Sequence, residues 1–206
     1  MEVAVLGIGN LLWADEGFGV RAVEALHAAY AFPPAVELVD GGTQGLALAR
    51  YVEGVRNLLV LDAIDFGLPP GTLRVLRDAE VPSWSQAKLS AHQTGFNDLL
   101  ALAALRGCAP ERITVIGVQP VELNDFGGSL REPVRARIPE AVELAAQELA
   151  AWGNAGRRRA PDEKVVPLAV AALGIAAYEQ GVAPPDDLGR YGDPRLLALR
   201  LAGQAD

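Results

Sequence analysis

The sequence predicts an α/β fold: a three-layer sandwich in which a twisted, mostly parallel sheet of about five strands lies between helices. Three observations carry this. Glu2–Ile8, Asn57–Leu61 and Arg112–Val118 are near-continuous apolar runs of strand length, as expected of strands covered on both faces. Segments of helical periodicity separate them, for example Phe18–Tyr30 with Ala22, Val23, Leu26 and Tyr30 apolar. Finally, Asp65–Gly71 is too short for a parallel crossover, so the strand after it is expected at an antiparallel edge.

The first strand runs into Gly7-Ile8-Gly9-Asn10-Leu11-Leu12-Trp13-Ala14-Asp15-Glu16-Gly17-Phe18-Gly19, the stretch around which the chain is organised. Glycines at a strand end allow a sharp turn, and this turn delivers two adjacent carboxylates. Pro33-Pro34 ends the first helix, and Ala35–Val39 is a second strand closing on Asp40-Gly41-Gly42-Thr43. Gln44–Val52 reads as a helix, Asn57–Leu61 as a third strand ending at Asp62, and Thr72–Leu76 as the edge strand. Val81–Gln93, which contains His92, is polar and irregular; Thr94–Arg106 is an apolar helix. Arg112–Val118 is a buried strand and Pro133–Trp152 one long helix rich in Ala, Leu and Glu. Composition shifts at Gly153. Residues 1–153 are therefore read as the functional domain, and 154–206 as a linker and appendage with one further helix over Val165–Gly181 and a loosely ordered Pro184–Asp193.

Composition narrows the function. The 206 residues are half apolar, enough for one sizeable core, and carry a net charge of -8. The densest basic cluster, Arg157-Arg158-Arg159, is too short to track a phosphate backbone, so no nucleic-acid partner is expected. A single cysteine, Cys108, excludes an intrachain disulfide and a cysteine cage for a metal. The longest apolar run, Val165–Tyr178, contains Pro167 and Gly174 and is too short to span a bilayer. With no signal-peptide pattern, a cytoplasmic protein without membrane insertion is expected, with the monomer as the default assembly.

Ligands of open α/β sheets bind beyond the carboxyl ends of the strands, where strand order reverses. Glu16, Asp40 and Asp62 follow the first three strands, and His92 precedes the third helix. If the first strand lies between the second and third, their end loops are neighbours about 4.8 Å apart. Glu16 and Asp62 then converge on one ion and a long loop brings in His92. Two carboxylates and an imidazole suit nickel, zinc, manganese or iron(II). Simpler roles stand beside these. Carboxylates at a helix N-terminus are favourable by about 0.3–1 kcal/mol; that is the preferred reading for Asp15, and Glu16 is open to both. Asp62 can cap a turn, Asp40 can shape its Asp-Gly-Gly-Thr loop, and His27, mid-helix, reads as a surface or packing residue. Gln119-Pro120 and Asp125-Phe126-Gly127-Gly128 can line the same mouth or serve the loop alone. A dinucleotide site competes, since Gly-x-Gly follows a strand and Asp40 closes the next. Leu12 replaces its third glycine, however, and Asp15 and Glu16 would face a pyrophosphate.

The ordered motifs together resemble the nickel-iron hydrogenase maturation endopeptidases. The match comprises Gly7–Val20, Asp40-Gly41-Gly42-Thr43-Gln44-Gly45, Leu61-Asp62-Ala63-Ile64-Asp65-Phe66-Gly67, Pro70-Gly71-Thr72-Leu73, Ser90-Ala91-His92-Gln93 and Gly117-Val118-Gln119-Pro120. Leu-Leu-Trp-Ala-Asp-Glu-Gly and Gly127-Gly128-Ser129-Leu130 look most like the branch serving membrane-bound uptake hydrogenases. The resemblance implies a protease that removes a C-terminal peptide from the hydrogenase large-subunit precursor once nickel is inserted. It implies Glu16, Asp62 and His92 as the metal-contacting catalytic residues, with Asp40, Gly41, Gly42 and Thr43 in support. The metal it implies is nickel, held by the protease or carried by the substrate, with zinc or another divalent ion as the other candidates. The alternative is a non-enzymatic nickel chaperone or adaptor for the same subunit.

Overall fold

The computed structural model describes residues 1–81, 91–168 and 173–181, with the backbone alone for 91–95 and 181. The strands are β1 (Val3–Ile8), β2 (Tyr30–Ala31), β3 (Val36–Gly42), β4 (Asn57–Ala63), β5 (Leu73–Arg77), β6 (Arg112–Val118) and β7 (Arg157–Arg158). The helices are α1 (Phe18–Ala29), α2 (Ala49–Val52), α3 (Ala91–Leu105), α4 (Glu132–Arg135), α5 (Ile138–Ala151) and α6 (Ile175–Gly181). Short 3-10 turns cover Ala14–Gly17, Gly45–Leu48 and Asp78–Glu80.

The main sheet has the order β3-β1-β4-β6-β5. β1 pairs in parallel with β3 and β4, and β4 with β6, while β5 runs antiparallel on β6 with Leu73 opposite Val118. The expected α/β sandwich with an antiparallel edge is thus observed. Every residue of β1 and β4 is buried, because both faces are covered. Val3 and Val5 point to α1 and α5 with Phe18, Leu26, Ala145 and Leu149. Ala4, Leu6 and Ile8 point to the opposite layer with Leu48, Val52, Phe96 and Leu99. The period-two alternation of a strand places one sequence run in two cores. Chain direction turns about β1, with β3 on one side and β4 on the other, so the exits of β1 and β4 flank the point where strand order reverses.

Several expected elements differ. The helix expected over Pro133–Trp152 is broken into α4 and α5, since Pro139 at the start of α5 cannot donate to a preceding turn. The helix expected over Gln44–Val52 is a 3-10 turn followed by one α-turn. Ala91–Gln93 is helical, within α3, so His92 lies on a helix and not in an irregular segment, while residues 82–90 of the expected Val81–Gln93 stretch lie outside the described residues. Of the helix expected over Val165–Gly181, residues 165–168 are irregular, 169–172 lie outside the described residues, and α6 follows Gly174, a poor helix former. The expectation for Pro184–Asp193 lies outside the described residues.

The basic triplet 157–159 also does more than link. β7 pairs with β2 in a second small sheet that ends α1 at Ala29. Arg159 donates its backbone N–H to Ala29 O (2.8 Å) and its Nε to His27 O and Tyr30 O (3.2 and 3.1 Å). These bonds satisfy carbonyls left over at a helix C-terminus. His27 lies at a 2.9 Å contact with Val166 O, consistent with a packing role. Among the described residues no helix is long and apolar enough to cross a membrane.

Candidate active site

The loop after β1 is shaped by close approach. Gly9 has φ +136°, and a Cβ there would lie 1.8 Å from Glu16 O, so the returning chain touches glycine backbone directly. Gly9 N–H donates to Gly42 O (3.0 Å), which joins this loop to the Asp40–Thr43 loop. The turn Ala14–Gly17 then carries Asp15 and Glu16, packs against β4, and leads straight into α1. α1 is itself pressed onto the sheet: a Cβ on Gly19 would lie 2.1 Å from Leu61 O and 2.2 Å from Ile8 O. The tight helix–strand contact that Leu12 does not provide is therefore provided seven residues later.

Glu16 is half-buried at the exit of β1. Asp62 is fully buried at the end of β4, where its Oδ1 accepts the Ala63 N–H (2.8 Å). β1 and β4 are adjacent, with Gly7 opposite Leu61, so these two carboxylates occupy neighbouring strand exits. Asp40 sits on the other side of β1, opposite Gly7, and is half-buried. Burial raises its carboxyl above the usual range, opposed by the Gly42 N–H and the charge of Arg21. Gly41 is buried, Gly42 takes φ +46°, and Thr43 is exposed. His92 is placed by its backbone on α3; its side chain lies outside the described residues. Among the described residues no group of three or more His, Cys, Asp or Glu is close enough to hold a metal ion. The donor set itself, two carboxylates on adjacent strand exits and one imidazole, fits a borderline divalent ion.

Asp15, expected from the sequence to cap α1, does not do so. No side-chain cap bond is made at either helical start. Its carboxylate, fully buried, instead accepts three backbone N–H groups from the loop after β6: Val121 and Glu122 on Oδ2 (2.9 and 3.0 Å) and Arg131 on Oδ1 (2.7 Å). That loop is tied to the β1 exit at other points too. Gly127 N–H donates to Leu12 O (2.7 Å), and Trp13 meets Phe126 edge to face at 5.3 Å. Arg131 pairs with the buried Asp125 (2.6 Å). At its other end, Gln119 Oε1 accepts the Phe66 and Leu68 N–H groups (2.7 and 3.1 Å), and its Nε2 donates to Asp65 Oδ1 (3.0 Å). The buried Gln119 thus holds the loop that leaves Asp62. The sequence marks Gln119 as mouth lining or loop structure and as part of the Gly117-Val118-Gln119-Pro120 motif, and nothing local marks its partners.

α6 closes over the same loop. Glu179 accepts from Ser129 Oγ (2.7 Å) and pairs with Arg135, while Tyr178 OH donates to Gly128 O (3.3 Å). The buried Arg21 of α1 donates to Leu173 O (2.5 Å) and Glu24 (3.0 Å) and lies 5.7 Å from the Tyr178 ring centroid.

A family model described as hydrogenase maturation protease matches residues 20–148. The hydrogenase expression/formation protein HoxM of Azotobacter vinelandii is 52% identical over 198 residues, covering 95% of this chain and 94% of that protein. HupD of Rhizobium leguminosarum bv. viciae is 50% identical over 184 residues, covering 89% and 91%. Among solved structures, the hydrogenase maturating endopeptidase HybD from Escherichia coli superposes with a TM-score of 0.73 at 39% identity, covering 77% of this chain and 98% of that one. A parallel sheet with acidic strand exits, matched from α1 through α5 by that model and along nearly its whole length by such relatives, belongs to a member of the hydrogenase maturation protease family.

Proposed function

We propose that this chain is the endopeptidase that removes the C-terminal peptide of a nickel-iron hydrogenase large-subunit precursor after nickel insertion, using Glu16, Asp62 and His92. The observation that carries the reading is the pair of acidic exits on adjacent strands β1 and β4, at the point where strand order reverses. Glu16 and Asp62 would hold a divalent ion through their carboxylates and His92 through its imidazole. When bound, such an ion polarises a carbonyl or lowers the pKa of water. The nickel in question is either held at rest by the protease or delivered by the precursor as cargo. Asp40 and the Gly41-Gly42-Thr43 turn support the site from the β3 side of β1. The proposal places the work in the cytoplasm, with the chain acting as a monomer; one cysteine suits a reducing compartment.

Mass spectrometry of the precursor before and after incubation tests this. The expected result is loss of one C-terminal peptide, abolished by Glu16→Gln or His92→Ala. A stable complex with no mass loss would establish the adaptor reading instead. Metal-free protease given nickel-loaded or nickel-free precursor separates the two sources of nickel: cleavage of the nickel-free form after zinc addition would exclude nickel sensing in the substrate.

A further inference from the structure

The loop from Gln119 to Arg131 is bonded to both of the acidic strand exits, and neither bond is made by a residue assigned to the reaction. On the β1 side, Asp15 accepts three of this loop's N–H groups with a fully buried carboxylate, and its own N–H donates to Glu122 O (3.1 Å). On the β4 side, Gln119 accepts two N–H groups from Phe66 and Leu68 and donates to Asp65, residues that lie four, six and three positions beyond Asp62. The Gln119 backbone is tied as well: its N–H donates to Thr72 O and its C=O accepts from Gly71 (both 2.8 Å). Glu16 follows Asp15 directly, and Asp62 ends the strand from which the Asp65–Leu68 loop departs.

We infer that Asp15 and Gln119 are positioning residues, which lock the loop after β6 as a brace between the β1 and β4 exits and thereby set where Glu16 stands relative to Asp62. The inference rests on the proposed function for its chemistry and on these hydrogen bonds for its geometry. A carboxylate is suited to the Asp15 position because only an acceptor with two oxygens and no proton can take N–H groups on both sides. Asparagine keeps one oxygen and turns an NH₂ group toward an N–H donor. Gln119 must both accept and donate, which an amide does and a carboxylate does not.

Asp15→Asn and Gln119→Met in the full-length chain test this, with two measurements on each. Amide hydrogen exchange reads the brace: the Val121, Glu122 and Arg131 amides should exchange faster in Asp15→Asn, and the Phe66 and Leu68 amides faster in Gln119→Met. Precursor cleavage reads its consequence. In protein shown to be folded by circular dichroism, kcat should fall about ten- to a hundred-fold with KM little changed, since small displacements of reacting groups act on the chemical step. A general loss of stability also lowers apparent kcat at constant KM, by lowering the amount of folded protein, so kcat is taken per folded molecule; a purely structural role would leave that value unchanged. Faster exchange with unchanged kcat would overturn the inference while leaving the protease reading intact. Unchanged exchange at those amides would overturn it as well. If Asp15→Asn fails to fold, Gln119→Met decides on the same criteria. A parent chain that binds precursor but cleaves nothing would defeat the proposed function, and the inference with it.

Discussion

Gly19→Ala is the sharpest test of how this fold positions its acidic turn. The residue lies in the first turn of α1, three positions after Glu16, where alanine is ordinarily the better helix former by about 1 kcal/mol. In this structure the added methyl would lie 2.1 Å from Leu61 O, 2.2 Å from Ile8 O and 2.8 Å from Ile8 N, all backbone atoms of the central strands. None of them can rotate away, so α1 must retreat by about 1 Å, a gap that already forfeits a quarter to a half of each dispersion contact across it. Phe18, Ala22, Val23 and Leu26 are all fully buried on that helix and lose contact together. Overpacking of this kind costs about 1–3 kcal/mol, occasionally more, and the rigid neighbours put Gly19 at the upper end. After subtracting the propensity gain, a net loss of about 2 kcal/mol is expected, or a fall in Tm of about 4–8 °C for a chain of this size. Denaturant unfolding at constant m-value measures it. The exposed Ala28 on the same helix supplies the control, since Ala28→Gly should cost only about 1 kcal/mol by propensity. A Gly19→Ala protein as stable as the parent, or stabilised, would show that helix and sheet are not in the contact described.

Two other outcomes are expected. At the end of the sheet away from the acidic exits, the buried Glu148 accepts three bonds from Arg77 (3.2, 3.1 and 2.7 Å) and one from Thr114 Oγ1 (2.9 Å). Arg77→Ala strands this carboxylate; breaking a buried pair costs about 3–5 kcal/mol, reduced here to about 2 because Arg77 is half-exposed and screened. The loss should appear in chemical denaturation, with kcat for precursor cleavage unchanged; a loss under about 0.5 kcal/mol, the range of ordinary surface changes, would contradict it. Asp40 gives a pH dependence. Burial raises its carboxyl in the folded chain, so between the unfolded and folded values the folded state binds more protons, and stability falls as pH rises through that window. Asp40→Asn should flatten this fall, so its stability curve should rise relative to the parent's from about pH 4 upward. Curves that stay parallel would show that burial does not act on this group.

The apolar runs of β1, β4 and β6 already carried the parallel, doubly covered sheet, because a strand without a polar face has nowhere to go but between two layers. The short Asp65–Gly71 connection likewise carried the antiparallel edge. Placement of Glu16, Asp40 and Asp62 at strand exits followed from strand lengths alone. Local reading failed where the deciding partner is remote in sequence. Asp15 looks like a helix cap until the loop more than a hundred residues later supplies three N–H groups. Gln119 looks like loop lining until Phe66 and Leu68 arrive at its oxygen. Arg159 sits in an apparent linker yet closes the end of α1. Hydrophobic periodicity is a property of neighbours along the chain, so sequence alone determined the layers and which carboxylates end strands. A buried carboxylate or amide takes whatever donors the folded chain brings to it, so only the tertiary structure decided which of these groups hold the loops around the strand exits.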